Sequence, residues 1–135
     1  MGGAIAAGLA KGKIFKPCQI ICTARTQKSL DKVKSIDPDI VIMNDNVMAV
    51  KEADVIVLAV KPWLMENVIA GFRESIDVSR QIFVSVAAGI SLEQLSAWLC
   101  PSRPSDVSVF RAIPNTAASV LASMTFISSA NADEE

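Results

Sequence analysis

Asp54-Val55-Ile56-Val57-Leu58-Ala59-Val60-Lys61-Pro62 is the stretch that decides the fold class. Val55 to Val60 is apolar throughout and shows no alternation of apolar and polar positions, which is how a strand buried on both faces reads. Lys61-Pro62 ends the run, and a helical pattern follows through Trp63, Leu64, Val68, Ile69 and Phe72. Ile82-Phe83-Val84-Ser85-Val86 repeats the theme as a second buried strand and stops at Ala87-Ala88-Gly89. Ser91 and Gln94 then have the spacing of a capping box, ahead of a helix carrying Leu92, Leu95 and Leu99. Strand, short connection, helix and strand again predict an α/β domain with a mostly parallel sheet.

The same alternation extends outward in both directions. Met1 to Lys11 is small and apolar, with Ile5 and Leu9 one helical turn apart and Gly12 placed as a terminator. Gly8 inside that helix costs about 1 kcal/mol against alanine, so it predicts a close approach to a sheet. Gln19 to Ala24 reads as a strand, Thr26 as the cap of a helix with Leu30 and Val33 inside, and Asp37-Pro38 as its stop. Ile40 to Met43 is a further strand, and Asn44-Asp45-Asn46 caps a short helix through Val47, Val50 and Ala53. Beyond the loop from Cys100 to Asp106, Val107 to Ala112 reads as a strand broken by Pro114, and Met124 to Ile127 as a last one. Asn131 to Glu135 is polar and expected to fray.

Composition excludes several classes of function. The 135 residues suit one domain, and 51% hydrophobic against 20% charged residues gives it a core. Thirteen Lys and Arg against fourteen Asp and Glu leave a net charge of −1, which is not the footprint of a nucleic-acid or polybasic membrane binder. No apolar run approaches the roughly 20 residues of a bilayer span. The start has no basic region and cleavage site of a secretory signal, so a cytoplasmic location is expected. The absence of histidine removes Ser-His-Asp and Cys-His catalysis and every histidine metal site. Cys18, Cys22 and Cys100 lack metal-ligand spacing, no metal is expected, and the three read as buried or idle thiols.

In parallel sheets ligands bind where strands end and helices begin. The segments to watch are therefore Arg25-Thr26, Asn44 to Asn46, Ala59 to Pro62, Ala87 to Gly89 and Ile113 to Thr116. A small-residue helix opening at Gly2-Gly3 resembles the second half of a dinucleotide-binding turn, where amides and the helix dipole hold a pyrophosphate. Only the last glycine of the usual G-x-G-x-x-G is present, as Gly2, and no strand precedes it. About 20 residues further on, where an NAD site places an acid, stand Ala24-Arg25-Thr26 with Lys28 behind them. A guanidinium, a hydroxyl and an ammonium there suit a ribose 2′-phosphate, which points to NADP(H) over NAD(H).

Four runs carry a family resemblance: Met1-Gly2-Gly3-Ala4-Ile5-Ala6, Ala59-Val60-Lys61-Pro62, Ser85-Val86-Ala87-Ala88-Gly89-Ile90 and Arg111-Ala112-Ile113-Pro114-Asn115-Thr116. In that order they resemble the N-terminal dinucleotide-binding domain of the pyrroline-5-carboxylate reductase family. The resemblance implies an NAD(P)H-dependent reduction of a small cyclic imine to L-proline on a Rossmann-like, mostly parallel sheet with helices on both faces. It implies that Gly2 and Gly3 lie near the pyrophosphate, Arg25 and Thr26 near the 2′-phosphate, and Asn46 near the adenosine ribose. Ala59, Val60, Lys61 and Pro62 would line the nicotinamide-ribose side. Ala87, Ala88, Gly89, Pro114, Asn115 and Thr116 would form the floor near the nicotinamide. No catalytic residue is assigned within the chain. Lys61 reads as a strand-end charge with its head in water rather than as catalytic, Arg111 as structural, and Asn115 either as a cofactor ligand or as the closure of a turn.

The chain also departs from the family pattern. The first strand and two fingerprint glycines are absent, the residue after Pro114-Asn115-Thr116 is Ala117 where the family has proline, and Ser123 stands where a glycine is common. The expectation is therefore an incomplete domain over residues 1–135, truncated at both ends relative to the family, inactive alone and a poor nucleotide binder. A full-length member is expected to be a homo-oligomer. The rival readings are an NADP-binding module without chemistry, a dehydrogenase of the 3-hydroxyacid or deazaflavin-dependent NADP reductase type, and a structural fragment with no ligand.

Overall fold

The computed structural model describes residues 1–131, and the chain divides into two compact units. The first comprises Met1–Ala49 and Pro114–Met124, and the second holds Val50–Ile113 and the segment from Thr125. The elements in chain order are α1 (Gly2–Lys11), β1 (Ile21–Thr23), α2 (Gln27–Lys34), β2 (Val41–Met43), α3 (Asn46–Glu52), β3 (Val55–Leu58), α4 (Met65–Ala70), β4 (Ile82–Ser85), α5 (Leu92–Leu99), β5 (Ser108–Ile113) and β6 (Phe126–Ala130). Short 3-10 turns punctuate them, among them Pro62–Leu64 and Thr116–Val120.

In the first unit β1 and β2 pair in parallel, Ile21 beside Val41 and Thr23 beside Met43. Helix α2 lies within the connection between them, and its start is capped as expected: Thr26 Oγ1 accepts the Ser29 amide at 3.3 Å. Leu30 is the buried residue of this helix. Helix α1 packs against α2 and against the 116–120 turn. The sequence predicted that Gly8 meets a sheet, but what it meets is this turn. A Cβ on Gly8 would lie 2.3 Å from the carbonyl oxygen of Ala118. The Lys11 ammonium donates to the Ser119 carbonyl at 2.9 Å and holds the same contact one turn later.

In the second unit the sheet order is β3-β4-β5-β6, with β3, β4 and β5 parallel and β6 antiparallel to β5. Register carries Ile56, Phe83 and Val109 across one face, and all three are buried. Helix α5 packs on β5 and β6 and contributes buried Leu95 and Leu99, and α4 contributes Met65 and Ile69. The capping box of α5 is present in both directions: Ser91 Oγ accepts the Gln94 amide at 3.2 Å, and Gln94 Oε1 accepts the Ser91 amide at 3.1 Å.

Three local readings are corrected. The apolar run from Val55 is a four-residue strand, shorter than the six-residue stretch, and it is not buried on both faces: Val55 is 46% and Val57 37% exposed. The exposed side is one face of the sheet and not the edge alone: Ile82, beside Val55 on the inner strand β4, is 39% exposed as well. Of the two readings given for the cysteines, buried or idle, burial does not hold for Cys18, which is exposed, while Cys22 and Cys100 are half-buried. Asn131 is held in place: at φ 55, its amide donates to the carbonyls of Pro104 and Val107 at 3.2 and 3.3 Å. The rest of the segment expected to fray, residues 132–135, lies outside the described residues.

Candidate functional site

Parallel strands deliver their C-terminal ends to one edge of a sheet, and helices start there with unpaired amides. In the first unit that edge carries the exits of β1 and β2. Arg25 is exposed, and its guanidinium makes no hydrogen bond or ion pair with the described residues. Lys28, on the first turn of α2, is likewise exposed. Thr26 is committed to its own helix, since it accepts the Ser29 amide and shares a 2.9 Å bond with the Ser29 hydroxyl. At the exit of β2 the cap is Asp45, whose Oδ1 accepts the amides of Val47 and Met48 at 2.8 and 3.2 Å. Asn46 is exposed beside it, its side chain without a partner among the described residues.

The same unit holds the opening glycines and the segment after β5. Helix α1 has no side-chain cap and no acid in its first turn, so the amides of Gly2 and Gly3 have no partner in the helix. A Cβ on Gly3 would meet nothing within 4 Å, which leaves that side open. Asn115 closes a turn: its Oδ1 accepts the Ala117 amide at 3.0 Å, and its own amide donates to Ser123 Oγ at 3.1 Å. Pro114 is half-buried, and Thr116 begins the 3-10 turn that faces Gly8.

In the second unit register sets Leu58, Ser85 and Arg111 side by side, so the exits of β3 and β4 leave the same edge. Ala59 and Val60 are half-buried, and Pro62 opens a 3-10 turn. Lys61 is exposed, its ammonium 6.0 Å from the ring centroid of Trp63, a loose cation–π pair with its charge in water. After β4, Ala87 is buried while Ala88 and Gly89 are exposed, and Gly89 turns the chain at φ 78, a left-handed conformation that glycine takes without strain. Two side chains hold this loop: Ser85, which the sequence reading did not single out and whose Oγ accepts the Ala87 amide at 3.3 Å, and Arg111, read as structural, whose Nη1 donates to the Ile90 carbonyl at 3.4 Å. The signal for both is a polar residue on the core-facing side of an apolar strand.

Charge in this region is modest. The Glu93 carboxyl is held below the ordinary range, first by its own backbone amide and then by the Ser91 hydroxyl, with the Arg111 cation adding to both. A cavity of about 450 Å³ lined by Glu93, Ser96, Ala97, Pro104, Ser105, Ala130 and Asn131 contains none of the residues predicted for binding.

Comparison with known proteins follows the same lines. The family described as NADP oxidoreductase coenzyme F420-dependent matches residues 1–89. A pyrroline-5-carboxylate reductase of Lophium arboricola is 31% identical over 127 residues, covering 85% of this chain and 39% of the relative. The enzyme of that name from Synechocystis is 31% identical over 127 residues, covering 94% of this chain and 45% of the relative. The chain thus spans less than half the length of these relatives. Among solved structures, Plasmodium falciparum pyrroline carboxylate reductase with NADP bound superposes at a TM-score of 0.82 and 21% identity, over 99% of this chain and 46% of that one. A pyrroline-5-carboxylate reductase from Coxiella burnetii gives 0.81 at 27% identity, over 98% and 47%. The α/β, largely parallel architecture is that of these neighbours.

Proposed function

Because the chain belongs to the family described as NADP oxidoreductase coenzyme F420-dependent, we propose that it is the coenzyme-binding part of a pyrroline-5-carboxylate reductase. In this reading residues 1–135 act as one dinucleotide-binding domain, and the complete enzyme reduces 1-pyrroline-5-carboxylate to L-proline. The observation that carries it is the position of three of the quoted runs. Ala59 to Pro62, Ser85 to Ile90 and Arg111 to Thr116 each stand at the end of a strand of one parallel set. That is where an open α/β sheet binds a nucleotide. The curated relatives supply the reaction by their names.

The residues suit a phosphorylated nucleotide. Arg25 offers a guanidinium with no competing partner, and Lys28 an exposed ammonium, for a ribose 2′-phosphate. This supports NADP(H) as the preferred coenzyme. The uncapped amides of Gly2 and Gly3 suit its pyrophosphate, and Asn46 suits the adenosine ribose. Lys61 and Pro62 take the nicotinamide ribose, with Ala59 and Val60 behind them. Ala87, Ala88 and Gly89, small residues after β4, suit the nicotinamide. Thr26 and Asn115 contribute chiefly by shaping backbone, because their side-chain oxygens are engaged by their own turns. The reduced coenzyme, when bound, supplies a hydride to the carbon of a C=N bond. These segments carry no histidine and no carboxylate beyond the helix-capping Asp45, which agrees with a reaction that needs placement of the donor more than a strong base.

The test is oxidation of NADPH by 1-pyrroline-5-carboxylate, measured with the full gene product. Arg25→Glu is expected to raise the KM for NADPH about tenfold or more while changing that for NADH by no more than about twofold. Equal losses for the two coenzymes refute the 2′-phosphate assignment, and no turnover of the imine refutes the reading. A second reading, a deazaflavin-dependent NADP reductase, is favoured by the family description alone. Reduction of NADP by reduced coenzyme F420 with no turnover of the imine would establish it instead.

A further inference from the structure

Ser85 of β4 and Arg111 of β5 are neighbours in the sheet register and share a face with Phe83 and Val109. Both are polar interruptions of an apolar surface, and both reach the same loop. Ser85, wholly buried, accepts the amide of Ala87 at 3.3 Å. Arg111 donates from Nη1 to the carbonyl of Ile90 at 3.4 Å. The two bonds bracket Ala87-Ala88-Gly89-Ile90, within which the chain turns left-handed at Gly89. A second Arg111 nitrogen, Nε, is buried without a partner. A buried unpaired donor destabilises the folded state, a cost that an apolar side chain filling the same space would not carry. Packing alone therefore does not account for an arginine here.

We propose that Arg111, with Ser85, is a positioning residue that fixes the 87–90 loop in the shape that receives the nicotinamide half of the coenzyme. This rests on the functional reading above. Arg111 acts through the backbone of the loop, at Ile90, while Ser85 sets the loop's beginning at Ala87. The pair leaves Ala88 and Gly89, both exposed, free to face a flat ring.

The experiment separates the two halves of the coenzyme. Binding of NADPH and of adenosine 2′,5′-bisphosphate, which lacks the nicotinamide, is measured for the full gene product and for Arg111→Met, Arg111→Lys and Ser85→Ala. Arg111→Met is expected to weaken NADPH about tenfold, and Arg111→Lys, which keeps one donor and the charge, to recover to within about threefold. Adenosine 2′,5′-bisphosphate should stay within about twofold of the unsubstituted protein in every variant. Amide exchange at Ala88 and Gly89 should speed up in Arg111→Met and Ser85→Ala. Parallel weakening of both ligands, or no weakening of NADPH, overturns the proposal. Should Arg111→Met fail to fold, Ser85→Ala and the lysine rescue decide the question. A protein that binds neither ligand in its unsubstituted form overturns the functional reading, and unchanged exchange at Ala88 and Gly89 then overturns the loop anchor as well.

Discussion

At the scale of single residues, Gly8 makes the sharpest demand. It sits inside α1, where glycine is about 1 kcal/mol worse than alanine, and the helix propensity alone would favour replacing it. The Ala118 carbonyl prevents that, because an added Cβ would lie 2.3 Å from its oxygen and backbone cannot swing aside as a long side chain can. Overpacking of this kind costs about 1–3 kcal/mol, more than the propensity gain. Gly8→Ala should therefore lower the midpoint of urea unfolding, and a variant as stable as the parent would show that the turn yields freely. The sequence showed that Gly8 needs a reason but not what supplies it, since its contact is 110 residues away in the chain. Local chemistry was more legible. Thr26 and the Ser91–Gln94 pair make bonds of three-residue span, and they stand as read. Asn115 shows the limit: its side chain closes a turn, and only the coordinates separate that from a free carboxamide.

At the scale of elements, the connection between α3 and β4 depends on one buried side chain. Gln81 donates from Nε2 to the carbonyls of Val50 and Ala53 at 2.7 and 2.8 Å, which satisfies acceptors at and just past the end of α3. Its Oε1 accepts the Asp77 amide at 2.9 Å and closes the turn that leads into β4. Gln81→Leu keeps the volume and removes three hydrogen bonds at once, although the Val50 carbonyl keeps the Ala53 amide and the Ala53 carbonyl keeps the Arg80 guanidinium. The Asp77 amide loses its acceptor, so the cost is about 1–3 kcal/mol and the unfolding midpoint should fall. A loss below about 1 kcal/mol would mean that water replaces the amide. Helix and strand order could be read from the chain, because periodicity and caps are local signals. The corrections fall on ends and faces. β3 stops two residues before its apolar run does, and Val55 and Val57 are partly exposed although the run has the texture of a central strand. Which neighbours a strand has, at its edges and on its faces, is decided by the rest of the chain, which the strand's own residues do not encode.

At the scale of the whole molecule, the same limit explains why the strands lie in two sheets, β1-β2 and β3-β4-β5-β6, while the α/β alternation predicted simply a parallel sheet. What the composition does fix globally is the response to pH. The chain has no histidine, so it lacks the one side chain whose ordinary titration falls between about pH 5 and 8. The resolved shifts lie outside that interval. Asp77 is held below the ordinary carboxylate range, first by the Ser79 hydroxyl and then by the Ser79 amide, and Glu93 is lowered by its own amide and the Ser91 hydroxyl. A carboxyl lowered in the folded state contributes stability that is present above its unfolded value and lost as the pH falls through its folded value. Burial raises the Cys22 thiol, so its contribution is present below the unfolded value and lost as the pH rises through the folded one. Stability should therefore be level from about pH 5 to 8, fall on the acid side below about pH 4, and fall on the alkaline side above about pH 9. Urea midpoints across that range check this. Asp77→Asn with Glu93→Gln should flatten the acid limb, because both amides keep an acceptor oxygen and lose the proton equilibrium. Cys22→Ala should flatten the alkaline limb. A transition centred near pH 6 or 7 would contradict the account, because the chain has no histidine to cause one.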